Sequence, residues 1–273
     1  MTTADHAPTR RTVLRATAFG AVPLLAGCSD QSHPESDAGS SPGSGPITDV
    51  HVTDTDLVVE IDPDAGGTEL SVIDPDGEAF AERSLAAGVR RESVPVGTTY
   101  EPGTYEIRLV DADETLATTT YEIYPDLAIT DLKLGRNHPE EMYEGADDLT
   151  TEAEVIITLT NTGTAPAEMT QLSFDGDVPQ PTPDQFEESG IYGEDSETAV
   201  VPHDRETVVY SDSRPFSPTG GNVDCSGEPI EAEAEIRMRL RSHSDIEYEI
   251  RIEYQQSENL SCEIDILSFS EIT

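Results

Sequence analysis

The sequence predicts an all-β protein, with two antiparallel β-sandwich modules placed after a signal peptide and a flexible linker. Three observations predict it. From Ile47 onward, short segments carry apolar residues at every second position, the period of a strand with one face in a core. Clusters of Gly, Pro, Asp and Asn interrupt these segments at roughly 8–12-residue intervals, the rhythm of hairpin-connected sandwiches. No amphipathic helical stretch is long enough to cover a parallel sheet, so a βαβ architecture is excluded.

The leader comes first. Arg10-Arg11 lies in a polar start, an uncharged run extends from Ala16 to Gly27, and Cys28 closes it. A charged lead followed by a short apolar run and small residues is the pattern of an export signal. The run is far shorter than the ~20 residues a spanning helix needs, and Pro23 interrupts it. Thr9-Arg10-Arg11-Thr12-Val13-Leu14 resembles a twin-arginine export motif. Leu25-Ala26-Gly27-Cys28 resembles a lipobox, in which the cysteine is lipidated and becomes the first residue. Together they resemble the leader of a haloarchaeal twin-arginine lipoprotein. The resemblance implies a signal peptide over residues 1–27, lipid on Cys28, and a protein held at the extracellular face of the cytoplasmic membrane. Residues 28–46 form a flexible tether, because their Ser, Gly and Pro content offers nothing to offset the entropy of ordering them.

Residues 47–125 make the first module. Leu57, Val59 and Ile61 alternate with Val58, Glu60 and Asp62, and Leu70 and Val72 continue the pattern. Asp74-Pro75-Asp76-Gly77 is a turn in which Pro fixes φ and Gly accepts a positive one. Further strands are predicted at Glu78–Ser84, Arg91–Val96, Tyr105–Val110 and Thr118–Tyr124. The segment from Pro102 to Leu109 resembles the penultimate strand of immunoglobulin-like modules of surface proteins.

Pro125-Asp126 marks the boundary, and residues 126–273 make the second module. Leu127–Leu134 reads as a strand, followed by a polar loop through Asp148. Ala153, Val155, Ile157 and Leu159 line a strand that turns at Asn161-Thr162-Gly163. The returning set Ala167, Met169, Leu172 and Phe174 slips phase near Thr170, which predicts a β-bulge. Thr158 to Gly163 resembles adhesion-like or spacer-like sandwich domains of archaeal and bacterial surface proteins. Residues 175–195 form an irregular insertion, with Pro179, Pro181 and Pro183 opposing helix and central strand alike and Phe186, Ile191 and Tyr192 as apolar anchors. Near the end, Ala232, Ala234, Ile236, Met238 and Leu240 pair with Tyr248, Ile250, Ile252 and Tyr254. Matching outward charges predicts a register with Leu240 opposite Tyr248, Arg241 opposite Glu247 and Arg239 opposite Glu249.

The chain has 56 acidic and 15 basic residues. The leader holds Asp5, Arg10, Arg11 and Arg15, so the chain from Cys28 keeps 55 acidic and 12 basic residues, a formal charge of −43. A folded pattern with this charge points to a halophilic surface, whose self-repulsion molar salt screens. It excludes nucleic acid as a partner, since no basic patch is present to neutralise phosphates. If Cys28 carries lipid, Cys225 and Cys262 are the remaining pair, and export permits a disulfide between them. Asn259-Leu260-Ser261 makes Asn259 a candidate N-glycosylation position.

Chemistry is sparse. Asp54-Thr55-Asp56 and Asp62–Gly66 have partial calcium-like spacing without completing an EF-hand loop. His51, His138, His203 and His243 are scattered, and no G-x-S-x-G elbow is present. No catalytic, cofactor-binding or metal residue is assigned, and no enzyme or cofactor is expected. The arginines Arg237, Arg239, Arg241 and Arg251 are expected to pair with neighbouring carboxylates. The reading is a lipid-anchored surface protein of structural or interaction type. Its partners are membrane lipid through Cys28 and an envelope or surface-layer protein. A ligand-binding or accessory subunit using the 175–195 insertion is the alternative, and a secreted hydrolase-like enzyme the third class.

Overall fold

The computed structural model describes residues 45–193, 198–257 and 261–272. Arg10, Arg11, Cys28, Asn259 and most of the tether lie outside them. Every strand pairing among the described residues is antiparallel. No helix among them is long and apolar enough to cross a membrane.

Seven strands precede Tyr124: β1 (Ile47–Thr53), β2 (Asp56–Ile61), β3 (Glu69–Ile73), β4 (Ala79–Ser84), β5 (Arg91–Pro95), β6 (Gly103–Asp111) and β7 (Glu114–Ile123). They form a sheet ordered β1-β2-β5 and another ordered β4-β3-β6-β7. The alternation works as expected. Leu57, Val59 and Val94 from the first sheet share one buried cluster with Leu70, Val72, Ile107 and Leu109 from the second. Ala112 and Asp113 both adopt positive φ between β6 and β7, the two-residue turn whose twist suits a hairpin.

The remaining strands are β8 (Leu127–Leu134), β9 (Val155–Asn161), β10 (Ala167–Gly176), β11 (Ala199–Val201), β12 (Glu206–Tyr210), β13 (Ile230–Leu240), β14 (Ile246–Gln256) and β15 (Cys262–Glu271). They build sheets ordered β12-β9-β8 and β11-β10-β13-β14-β15 around a second cluster that includes Ile157, Leu159, Phe174, Ile236 and Ile252. The register of β10 shifts between Met169 and Gln171, so the bulge expected near Thr170 is present and keeps Leu172 and Phe174 inward.

Three features depart from expectation. The polar stretch before β9 contains a short helix, α1 (Asp148–Ala153), capped by Asp147, whose carboxylate accepts from the Thr150 N–H at 2.8 Å. Strands β11 and β12 carry too little alternation to be foreseen, and Val200 and Val208 are exposed on them. The β13–β14 register also differs. Arg237, not Arg241, faces Glu247, and Met238 faces Ile246. A slide by two residues on each strand leaves the inward set unchanged, and exposed charge pairs contribute too little to choose between such registers. The chain turns between Leu240 and Ile246 with Ser242 at φ 62.

The prolines do keep the described part of the 175–195 insertion irregular. It folds back along β10 beyond the short β11: Thr182 N–H donates to Phe174 O and Leu172 N–H to Ser189 O, both at 2.7 Å. The Gln171 side chain donates to the carbonyls of Phe186 and Glu188. The insertion thus covers an exposed strand edge, which otherwise invites pairing with other chains. Ile191 is buried as an anchor, together with Val178.

Candidate functional site

Three places concentrate unusual chemistry. The first is the junction where residues 124–127 pass the β9–β10 turn. Thr164 N–H donates to Tyr124 O (2.8 Å), Thr162 N–H to Asp126 O (2.8 Å) and the Thr164 hydroxyl to Glu122 O (2.6 Å). Asn161 is buried and uses its whole amide. Its oxygen accepts from the N–H groups of Asp126 and Gly163, while its nitrogen donates to the carbonyls of Ala165 and Val201. Ala165 packs into the first hydrophobic cluster. Gly163 has no room for a side chain: a Cβ there would lie 2.4 Å from Tyr124 O and 2.6 Å from Asp126 N.

Side chains extend this contact. The Tyr100 hydroxyl donates to Pro166 O at 2.9 Å, and Arg205 bonds Asp54 at 2.9 Å. Glu168 accepts from Thr98 and from two nitrogens of Arg241 at 2.8 and 2.9 Å. Arg241 accordingly holds the Glu168 carboxyl below its ordinary range. His243 lies 5.1 Å from the Tyr100 ring, with both ring nitrogens buried and unpartnered, and burial lowers its pKa. Beside it opens a cleft of about 740 Å³ lined in part by Glu101, Asp126, Leu127, Ile246 and Glu271.

The second place is the Cys225–Cys262 disulfide, with Cα atoms 5.7 Å apart. It joins the loop before β13 to β15, as the sequence led us to expect. Arg136 secures the same corner, donating to Glu152 O (2.9 and 2.6 Å), Phe216 O (2.6 Å) and Cys262 O (3.2 Å). Burial lowers its pKa. The sequence did not single it out, because partners that are backbone carbonyls leave no trace in residue types.

The third is Glu154, 1% exposed between α1 and β9. Its carboxylate oxygens are buried without a hydrogen bond of ordinary geometry, although the Tyr143 hydroxyl interacts with them as a side-chain partner. Burial first, then Asp212, push its pKa up to about 7, against the opposing pull of Tyr143 and Arg214. Tyr143 stacks on Tyr192 with centroids 3.5 Å apart and meets Tyr210 edge-on at 5.1 Å.

Other candidates resolve plainly. Arg237 bonds Glu247 (2.7 Å) and Glu235 (3.1 Å), Arg239 lies 3.8 Å from Asp245, and Arg251 lies 3.7 Å from Glu233. The expected internal pairing therefore replaces an anion site. His51, His138 and His203 each approach a carboxylate. His138 is less isolated than its sequence position suggests, since its ligand atoms and those of Glu140 and Glu141 lie within 4.8 Å of one another. Lys133, the only lysine in the chain, already places its ammonium 2.7 Å from Glu141 and 2.9 Å from Asp131.

No family model matches the chain, and no curated protein matches it. Among solved structures, it is similar to a two-domain fibronectin type-III segment of chicken tenascin, at 11% identity over 81% of this chain and 98% of that one, with a TM-score of 0.27. It is also similar to a glycoside hydrolase family 2 β-glucuronidase, at 11% identity and a TM-score of 0.26 over 80% of this chain, spanning only 20% of that enzyme. A biofilm-associated protein BSP domain follows, at 12% identity and a TM-score of 0.24, over 71% of this chain and 26% of that one. Likeness of this degree carries neither ligand nor activity, and what remains is the antiparallel β architecture itself.

Proposed function

We propose that the chain is an exported, lipid-anchored protein of the cell surface, structural or interactive in role. In this reading two immunoglobulin-like modules, 47–125 and 126–273, stand on a flexible tether, and Cys28 carries the lipid. The observation that carries the reading is the disposition of cysteines. Cys225 and Cys262 are bonded to each other, which leaves Cys28, at the end of the lipobox-like Leu25-Ala26-Gly27-Cys28, as the third. A disulfide also suits a protein that matures outside the reducing cytoplasm.

The junction supports a spacer role. Backbone and side-chain bonds from Glu122 to Asp126 meet the turn from Asn161 to Ala165, contacts that suit two modules held together as a spacer. The described part of the 175–195 insertion is engaged with β10, which favours the structural class over a ligand-binding subunit.

Cys28→Ser tests the anchor, because a two-chain lipid holds a protein where one chain is only marginal. The variant is expected to leave the membrane fraction or to remain unprocessed. Continued membrane association with an unlipidated native N-terminus would overturn the proposal. Arg10-Arg11→Lys-Lys is expected to block export.

A further inference from the structure

His243 sits where the two halves of the chain meet. It lies in the turn between β13 and β14 and rests against Tyr100, with ring centroids 5.1 Å apart and planes inclined at 54°. Tyr100, 2% exposed, comes from the segment between β5 and β6 and donates to Pro166 O just before β10. Two residues earlier on each side the contact is repeated: the Thr98 hydroxyl donates to Glu168, which also holds Arg241. Both ring nitrogens of His243 are buried without a partner. A neutral imidazole tolerates this better than a charged one, which would bury a second N–H and a full positive charge. Attraction between an imidazolium and the Tyr100 ring offsets only part of that, because desolvating an ion costs more than a cation–π contact returns. Burial accordingly lowers the pKa of the ring, and no charged neighbour counters it.

A charged ring has somewhere to go. His243 also lines the cleft of about 740 Å³, whose walls carry Glu101 before β6, Asp126 before β8 and Glu271 at the end of β15, with no lysine or arginine among the described residues that line it. Ser242 and Ser244 flank the ring and are exposed, so it can turn without lifting Leu240 or Tyr248, which are buried. Of the charged groups on its own turn, Arg241 is held by Glu168, and Asp245 lies 3.8 Å from Arg239. The cleft carboxylates are thus the acceptors left for an imidazolium. We propose that His243 is an acid-sensitive latch at this junction. Neutral, it rests on Tyr100 and closes the contact between the halves; on taking a proton from solvent it swings into the cleft toward Glu101, Asp126 and Glu271, and the junction loosens.

The test uses the full chain in about 2 M salt, which screens the surface charge throughout. Nuclear magnetic resonance follows the His243 ring from about pH 8 to about 4.5. Hydrogen exchange is read over the same range at the amides of Thr162 and Thr164, which donate across the junction to Asp126 O and Tyr124 O. The closed state binds fewer protons than the open one, so closure is complete above the ordinary imidazole value of about 6.5 and is lost as pH falls through the lowered one. The ring is therefore expected to titrate below its ordinary value. Protection of the two amides, corrected for the intrinsic pH dependence of exchange, should fall with it by at most about tenfold per pH unit, the limit for one proton. His243→Phe keeps a ring against Tyr100 and takes no proton, so its protection should stay flat. Glu168, held below its ordinary range by Arg241, and Glu154, raised to about 7, are present in both chains, so the comparison isolates His243. An imidazole that titrates at or above the ordinary value would overturn the latch, and so would amide protection that holds while the ring titrates. Both readings are made on the wild type and stand without a variant. Equal loss of protection in wild type and His243→Phe would overturn it as well.

Discussion

Gly163→Ala probes the junction with one methyl group. The added carbon would stand 2.4 Å from Tyr124 O, 2.6 Å from Asp126 N and 2.7 Å from Pro125 C, all backbone atoms. No flexible side chain can yield, so either the linking segment or the β9–β10 turn has to move. Forcing a methyl into filled space costs about 1–3 kcal/mol. The move also stretches the bonds from Thr162 and Thr164 to Asp126 and Tyr124, each contributing roughly 0.5–1.5 kcal/mol. The expected loss is about 2–6 kcal/mol if the turn stays docked. If it undocks instead, Ala165 leaves the first hydrophobic cluster and the two halves reorient. Chemical denaturation measures the first outcome and small-angle scattering the second. Wild-type stability together with a wild-type scattering profile would refute the tight junction, and with it the fixed spacing on which the structural role depends.

Two further outcomes are expected. Replacing Cys225 and Cys262 together by Ser removes a crosslink between residues 37 apart in sequence, and chain entropy puts the loss near 4 kcal/mol; denaturation midpoints that match the oxidised wild type would contradict it. Burial pushes the Glu154 carboxyl up to about 7 from an ordinary 4.5, so its stabilising contribution is complete below the unfolded value and falls as pH rises through the folded one. Wild type should lose about 2 kcal/mol relative to Glu154→Gln between about pH 5.5 and 8.5, and parallel pH profiles would show that the carboxyl is not held protonated.

The antiparallel architecture was legible because alternation and turn chemistry act locally. Leu57-Val58-Val59-Glu60-Ile61 and Asp74-Pro75-Asp76-Gly77 carry their meaning within a few residues. The bulge beside Thr170 was legible for the same reason, since a phase slip in one strand has one remedy. Register was not legible. The inward set of β13 and β14 is identical after the four-residue shift between expected and observed pairing, and outward charges contribute too little to decide. Glu154 escaped notice because sequence cannot say which of 56 acidic residues is denied water. The bonding roles of Arg136 and Asn161 escaped because their partners are main-chain groups. The disulfide was legible by elimination, which depended on assigning Cys28 elsewhere.

The observed register bears directly on salt. On the five-stranded sheet, Asp175 faces Glu235, which faces Glu249, and Glu231 faces Glu253, which faces Asp265. Two of these four like-charge pairs, Glu235–Glu249 and Glu231–Glu253, belong to the β13–β14 register, which also sets Arg237 opposite Glu247 and Arg251 opposite Glu233. Each like-charge pair destabilises by roughly 0.2–1 kcal/mol, or about 1–4 kcal/mol for the four together, against a total stability of about 5–15 kcal/mol for an ordinary domain. The screening length is about 10 Å at 0.1 M and about 3 Å at 1 M, so neighbouring exposed carboxylates repel each other in dilute buffer and scarcely in molar salt. The long-range repulsion of a chain carrying −43 from Cys28 onward adds to this local term. Far-UV circular dichroism should therefore show loss of β signal as salt falls from molar to about 0.1 M. Glu235 stands in two of the pairs, and its contact with Arg237 is an exposed one that contributes little. Glu235→Gln should accordingly keep its structure to lower salt than the wild type. A spectrum that stays β-like in dilute buffer would show that screening is not required. An unchanged salt midpoint in Glu235→Gln would place the requirement in the net charge rather than in these strands.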